Sequence, residues 1–147
     1  MKIKDVMKTT PITVRLDDSV TEAAKLMRDH GVGFLPVVDE NQRVCGVITD
    51  RDIVARVIAC EAPPNSTRVV DAMTLELVRV HKDDDIDVAA HAMSDTHKGR
   101  VLVTGEDDVL EGVVSLSDLA DVDDFDAGET LRDVSARENN GGLHGPR

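Results

Sequence analysis

The chain has 147 residues, enough for one ordinary domain or two small ones sharing a core, and 41% of them are hydrophobic. Phe34 and Phe125 are its only aromatic residues, so the core is built from aliphatic side chains and Met, and a stacking platform for single-stranded nucleic acid is excluded. Seventeen basic residues against 29 acidic ones give a formal charge of −12, which leaves no basic stripe to displace counterions from a duplex.

Cys45 and Cys60 form no CxxC pair and no zinc spacing, so two reduced thiols are expected. No apolar run is long enough to cross a bilayer and nothing at the N-terminus resembles a signal peptide. A soluble, cytoplasmic protein with no membrane or nucleic-acid partner is the expectation. Asp outnumbers Glu and Arg outnumbers Lys, a bias that also suits a high-salt cytoplasm.

Along the chain, "ITVRL" (12–16) reads as a short strand, and Asp17-Asp18-Ser19 as a helix start. Val20, Ala23, Ala24 and Met27 then recur at helical spacing, and Gly31 to Gly33 closes the helix. "FLPVV" (34–38) and "RVCGVIT" (43–49) are strands joined by a tight turn at Glu40-Asn41. A second helix starts near Asp50, with Ile53, Val54, Val57 and Ile58 as its apolar face.

After a connector containing Pro63-Pro64 the same text is written again. Asp5 falls on Asp71, a shift of 66 positions, and the shift holds without a gap. Val20 falls on Ile86, Ala23 on Ala89, Met27 on Met93, Gly33 on Gly99, Gly46 on Gly112, Thr49 on Ser115 and Asp52 on Asp118. The second copy therefore has a strand in "LVRVH" (77–81), an acidic helix start at Asp83-Asp84-Asp85, a helix ended by Gly99, strands "RVLVT" and "VLEGVVS", and a last helix from Leu116 that fades into "ADVDDFDAGE". The expected division is 1–61, a connector at 62–68, a second repeat at 69–125 and a mostly disordered tail at 126–147, with His144 solvent-exposed.

Chemistry concentrates in Gly46–Asp52 ("GVITDRD") and Gly112–Asp118 ("GVVSLSD"). Gly46 and Gly112 allow close backbone approach at a strand. Thr49 and Ser115 stand where strand gives way to helix, and a hydroxyl there caps the helix or bonds a phosphate. The acid three residues later equally completes a capping box that needs no ligand. No HExxH pair, cysteine nucleophile motif or calcium-loop spacing is present, and Asp83 to Asp87 reads as a helix N-terminus. An enzyme is not expected.

"DVM", "FLPVVDENQRVCGVIT" and "DRDIV", with their second copies, resemble the CBS domain over roughly residues 3 to 120. The second copy departs from the consensus where Arg100 and Leu102 replace Phe34 and Pro36. The resemblance implies an α+β fold: two β-α-β-β-α units packed through their sheets with pseudo-twofold symmetry, commonly dimerised through their helices. It implies clefts that hold AMP, ADP, ATP, S-adenosylmethionine or NAD in relatives, with Asp52 and Asp118 accepting from the ribose hydroxyls. Ile12, Val32 and Gly33, and Val78, Gly99 and Arg100, would flank the adenine. Arg51, Lys98 and Arg100 are the cations best placed for phosphates, although Arg51 stands equally as a solvated helix side chain. Mg²⁺ would enter only on bound phosphates. The function implied is a regulatory adenine-nucleotide sensor, homodimeric and acting on a partner protein. The alternatives are a ligand-independent interaction module and a sensor of S-adenosylmethionine or NAD.

Overall fold

A computed structural model of the chain describes residues 1–122, 128 and 130–135. Its strands are β1 (Lys8–Thr9), β2 (Val14–Arg15), β3 (Phe34–Val38), β4 (Val44–Thr49), β5 (Arg79–His81), β6 (Arg100–Thr104) and β7 (Leu110–Ser115). Its helices are α1 (Val20–His30), α2 (Asp50–Ile53), α3 (Val69–Ala72), α4 (Ile86–Thr96) and α5 (Leu116–Ala120). α2 runs on into a wider π turn over Val54–Ile58, in which Ala59 N–H donates to the Val54 carbonyl. The result is mixed α+β with two separate sheets.

The chain forms two compact units, assembled differently from the linear repeat. The first-repeat unit is Ile12–Leu77 with Asp107–Val109, and the second-repeat unit is Met1–Pro11, Val78–Glu106 and the described residues from Leu110 onward. In the first-repeat unit β2 pairs in parallel with β3, and β3 antiparallel with β4. Thr74 bridges to Val47 at the outer side of β4 through hydrogen bonds of 3.0 and 2.8 Å. In the second-repeat unit β5, β6 and β7 repeat this pattern, and β1 takes the place of Thr74 with Lys8 opposite Val113. The opening residues are held there by backbone bonds from Ile3 to Asp84 (2.9 Å) and from Lys4 to Lys82 (3.0 Å).

Helix starts follow the sequence. The Ser19 hydroxyl accepts from Glu22 N–H at 3.1 Å, and the Asp85 carboxylate from Asp87 N–H at 3.1 Å. Asp18 and Asp84 bind back to Arg15 N–H and His81 N–H, so the acidic turns are local caps. Val20, Ala23 and Met27 are buried, as are Ile86, Ala89 and Met93, and each set joins its own unit's core. Ala24, expected on that stripe, is exposed.

Three further expectations need correction. α4 is ended not by Gly99 but by His97, which takes the left-handed conformation at φ 57°, the place Gly31 fills at φ 64° after α1. The last helix of the first repeat does not bury its whole apolar face: Val57 is buried and Ile53 partly, while Val54 is 60% and Ile58 55% exposed. The π turn changes the angular spacing after Ile53, which a regular helical count does not anticipate. Finally, residues 130–135, assigned to the tail, are helical, with Thr130 and Val134 buried against the second-repeat unit. Phe125, His144 and the remainder of the expected tail lie outside the described residues.

Candidate functional site

Each unit carries one strand-to-helix corner. In the first-repeat unit β4 ends at Thr49, whose hydroxyl accepts from Asp52 N–H at 3.1 Å while the Asp52 carboxylate accepts from Thr49 N–H at 3.0 Å. In the second-repeat unit Ser115 and Asp118 make the same reciprocal pair at 3.2 and 2.8 Å. Both corners are thus capping boxes, which fixes the carboxylates in place before any ligand is considered.

The glycines preceding the central strands close each corner. Asp50 N–H donates to the Gly33 carbonyl at 2.9 Å, and Leu116 N–H to the Gly99 carbonyl at 2.8 Å. Phe34 lies opposite Thr49, and Arg100 opposite Ser115. The structure therefore gathers Gly33, Thr49, Arg51 and Asp52 in one unit, and Gly99, Arg100, Ser115 and Asp118 in the other. Ile12 and Val78 are half-buried against their units' cores, and the Val78 carbonyl accepts from Leu102 N–H. Val32 and Lys98 are exposed at the helix ends, each with its N–H bonded back to a Met carbonyl, Met27 and Met93. Arg51 and Arg100 are also exposed.

The two corners differ in what surrounds the carboxylate. Asp52 is 8% exposed, and the Thr74 hydroxyl reaches both its oxygens, at 3.1 and 3.2 Å. Arg56 Nε lies 3.9 Å from Asp52 Oδ1, while Arg56 Nη1 donates to the carbonyls of Met73 (2.8 Å) and Ala72 (3.3 Å), anchoring the end of α3. Among the described residues, Asp118 has no counterpart of either neighbour. Lys8, which falls on Thr74 in the repeat, places its ammonium 3.7 Å from Asp118 Oδ1 on a side chain that is 77% exposed. Asp118 therefore keeps acceptor capacity that Asp52 has largely used.

Thr74, Lys8 and Arg56 were not singled out from the sequence. For the first two a signal was there: each directly follows the Met of the repeated "DVM" and "DAM". Arg56 falls on Val122 and has no counterpart. The close approach expected at Gly46 and Gly112 is real: a Cβ would lie 2.8 Å from the Thr74 carbonyl oxygen at Gly46 and 2.6 Å from that of Lys8 at Gly112.

Among the described residues no group of three His, Cys, Asp or Glu side chains is placed to hold a metal, and no helix is long and apolar enough to cross a membrane.

Comparison with known proteins agrees with this duplicated geometry. The family model of the CBS domain matches residues 3–59 and again 69–124. The uncharacterised protein YlbB of Bacillus subtilis is 40% identical over 141 residues, covering 94% of both chains. Hypoxic response protein 1 of Mycobacterium tuberculosis is 29% identical over 117 residues, covering 80% of this chain and 81% of its own. Among solved structures, the CBS domain pair of protein MJ0100, in complex with 5′-methylthioadenosine and S-adenosyl-L-methionine, superposes with a TM-score of 0.68 at 30% identity, covering 82% of this chain and 93% of that one.

Proposed function

We propose, from the premise that this chain belongs to the CBS domain family and carries two copies of the domain, that it is a non-enzymatic regulatory module binding an adenosyl ligand, most simply an adenine nucleotide. The observation that carries this reading is the Ser115–Asp118 corner. Its carboxylate is held by a capping box, its side chain is 12% exposed, and among the described residues its second oxygen faces the flexible Lys8 ammonium. Such a carboxylate is already oriented to accept from a ribose diol. Thr49 and Asp52 repeat the arrangement with Thr74 and Arg56 already engaged, so the two sites differ in strength.

The MJ0100 complexes support adenosine as the shared element, because both of their ligands contain it. They also support the second reading, in which the ligand is S-adenosylmethionine and not a nucleotide. For a nucleotide, Lys8, Arg51, Lys98 and Arg100 are the cations that would turn to the phosphates, and Mg²⁺ would ride on those phosphates. Exposed Val54 and Ile58, four residues apart after α2, suit a homodimer contact. Ligand state would then pass to a partner protein, provided the ligand binds two states of the dimer unequally.

With no Trp or Tyr for fluorescence, scanning calorimetry is the suitable test. AMP, ADP, ATP with and without Mg²⁺, NAD and S-adenosylmethionine are each added at millimolar concentration. A ligand present at 100 times its Kd stabilises the fold by about 2.7 kcal/mol, a rise of several degrees. A shift with one or more adenosyl compounds is expected, and no shift with any of them would favour a ligand-independent interaction module.

A further inference from the structure

A helical stretch from the far end of the chain packs beside Gly99 at the second-repeat corner. Residues 130–135 form a helical stretch whose Thr130 and Val134, four residues apart, are buried, while Leu131 and Arg132 face outward. Val134 joins the core that includes Leu119 and Val101, with Leu116 and Val78 packed around it. Its Cγ1 lies 3.6 Å from where a Cβ would stand on Gly99. Gly99 is the residue whose carbonyl binds Leu116 N–H, immediately beside Ser115. The stretch is pinned at two further points: His97 Nδ1 donates to the Asp133 carbonyl at 2.8 Å, and Ser94 Oγ meets Thr130 Oγ1 at 3.4 Å.

At the equivalent place in the first repeat, the space over Gly33 is taken by the Asp50 carboxylate, 2.7 Å from the Cβ position. That is the end of an exposed side chain, which can swing away by a rotamer change. Leu116 falls on Asp50 and is drawn into the core, so at Gly99 the space is taken by a separate segment of chain.

We propose that residues 130–135 are a built-in cover over the Ser115–Asp118 site, displaced when an adenosyl ligand occupies the surface of Gly99. The inference rests on the adenosyl reading of that site. Binding there is coupled to release of the stretch, which becomes the signal a partner can read. If the cover is closed for 90–99% of the time, the apparent affinity is weaker by about 10- to 100-fold than that of the open site.

The test uses the full chain and two variants. His97→Gly keeps the left-handed backbone, which glycine accepts, and removes only the ring that holds Asp133. Val134→Asp expels the buried side chain. Each protein is titrated with AMP and, separately, with S-adenosylmethionine, and Asp118-dependent binding is taken as the difference from the same protein carrying Asp118→Ala. Amide exchange of 130–135 in the unaltered chain, with and without ligand, gives a readout independent of either variant's stability. Expected are Asp118-dependent affinities tightened by about tenfold or more and faster exchange over 130–135 with ligand bound. Asp118-dependent binding left unchanged by His97→Gly, or exchange over 130–135 that slows on binding, would overturn the cover while leaving the adenosyl reading intact. Binding of neither compound to any of the proteins would remove both.

Discussion

The Thr74 hydroxyl donates to both carboxylate oxygens of Asp52, at 3.1 and 3.2 Å, and so ties the residue following the repeated Met to the helix-capping acid of the same unit. Asp52 is buried, and removing a donor to a buried charged acceptor costs about 1–3 kcal/mol. Thr74→Val is expected near the lower end, because Thr49 N–H still serves the carboxylate. Arg56→Leu loses the carbonyl bonds at the end of α3 and the more distant contact with Asp52. Because Thr74 and Arg56 meet at one carboxylate, the double variant should depart from additivity by at least ~0.5 kcal/mol in denaturant unfolding. Strict additivity would mean that Asp52 does not couple them.

A glycine series separates backbone crowding from side-chain crowding. Gly112→Ala would place its Cβ 2.6 Å from the Lys8 carbonyl oxygen and 2.8 Å from Met7 Sδ. The carbonyl belongs to a strand paired with β7 and cannot retreat without breaking that pairing. Overpacking of this kind costs about 1–3 kcal/mol. At Gly33→Ala the nearest atoms are those of the Asp50 carboxylate, which can rotate, so the substitution should cost less. Equal losses in thermal unfolding would refute this ranking.

Much of this arrangement is legible in the sequence, because the duplication lets each half check the other. β3 and β6 occupy 34–38 and 100–104 as the apolar runs require, and β4 and β7 end at the Thr49 and Ser115 hydroxyls. The capping reading of Thr49-Asp52 and Ser115-Asp118 was available from spacing alone. What surrounds those carboxylates was not. Thr74 and Lys8 lie in stretches without apolar period, and only their pairing with β4 and β7 brings them to the site. The exposure of Val54 and Ile58 follows from a π turn that no composition marks. The stretch 130–135 carries only Leu131 and Val134 as apolar residues, too few for periodicity to announce a packed helix.

Acid conditions should loosen the opening segment of the second-repeat unit. Lys4 Nζ donates to Asp83 Oδ1 at 3.1 Å and holds that carboxyl below its ordinary value of 3.8; partial desolvation opposes this, while the charges of Lys4, His81 and Lys82 add to it. A carboxyl depressed on folding contributes stability above its unfolded pKa, and that contribution fades as pH falls through the folded one. The fading window therefore lies below pH 3.8. Carbon-detected titration should show Asp83 titrating low in the unaltered chain and returning upward in Lys4→Ala. An unchanged midpoint would show that the pair does not persist in solution.

The two thiols should react at different rates. Burial pushes the Cys45 thiol up, the Asp39 charge adds to this, and a backbone hydrogen bond from Asp39 partly opposes it. Only the thiolate attacks an alkylating agent. Cys60 is exposed. Iodoacetamide at neutral pH should therefore modify Cys60 well before Cys45, as read by peptide mass mapping, and the reverse order would contradict the packing around Cys45.

The most direct measurement is a calorimetric titration of AMP into the purified, ligand-free chain, repeated on Asp52→Ala, Asp118→Ala and the double variant, each first checked for folding. The account predicts that each single substitution removes the binding of its own site and that the double variant binds nothing. Undiminished binding in the double variant would contradict the assignment of these two carboxylates to the ribose.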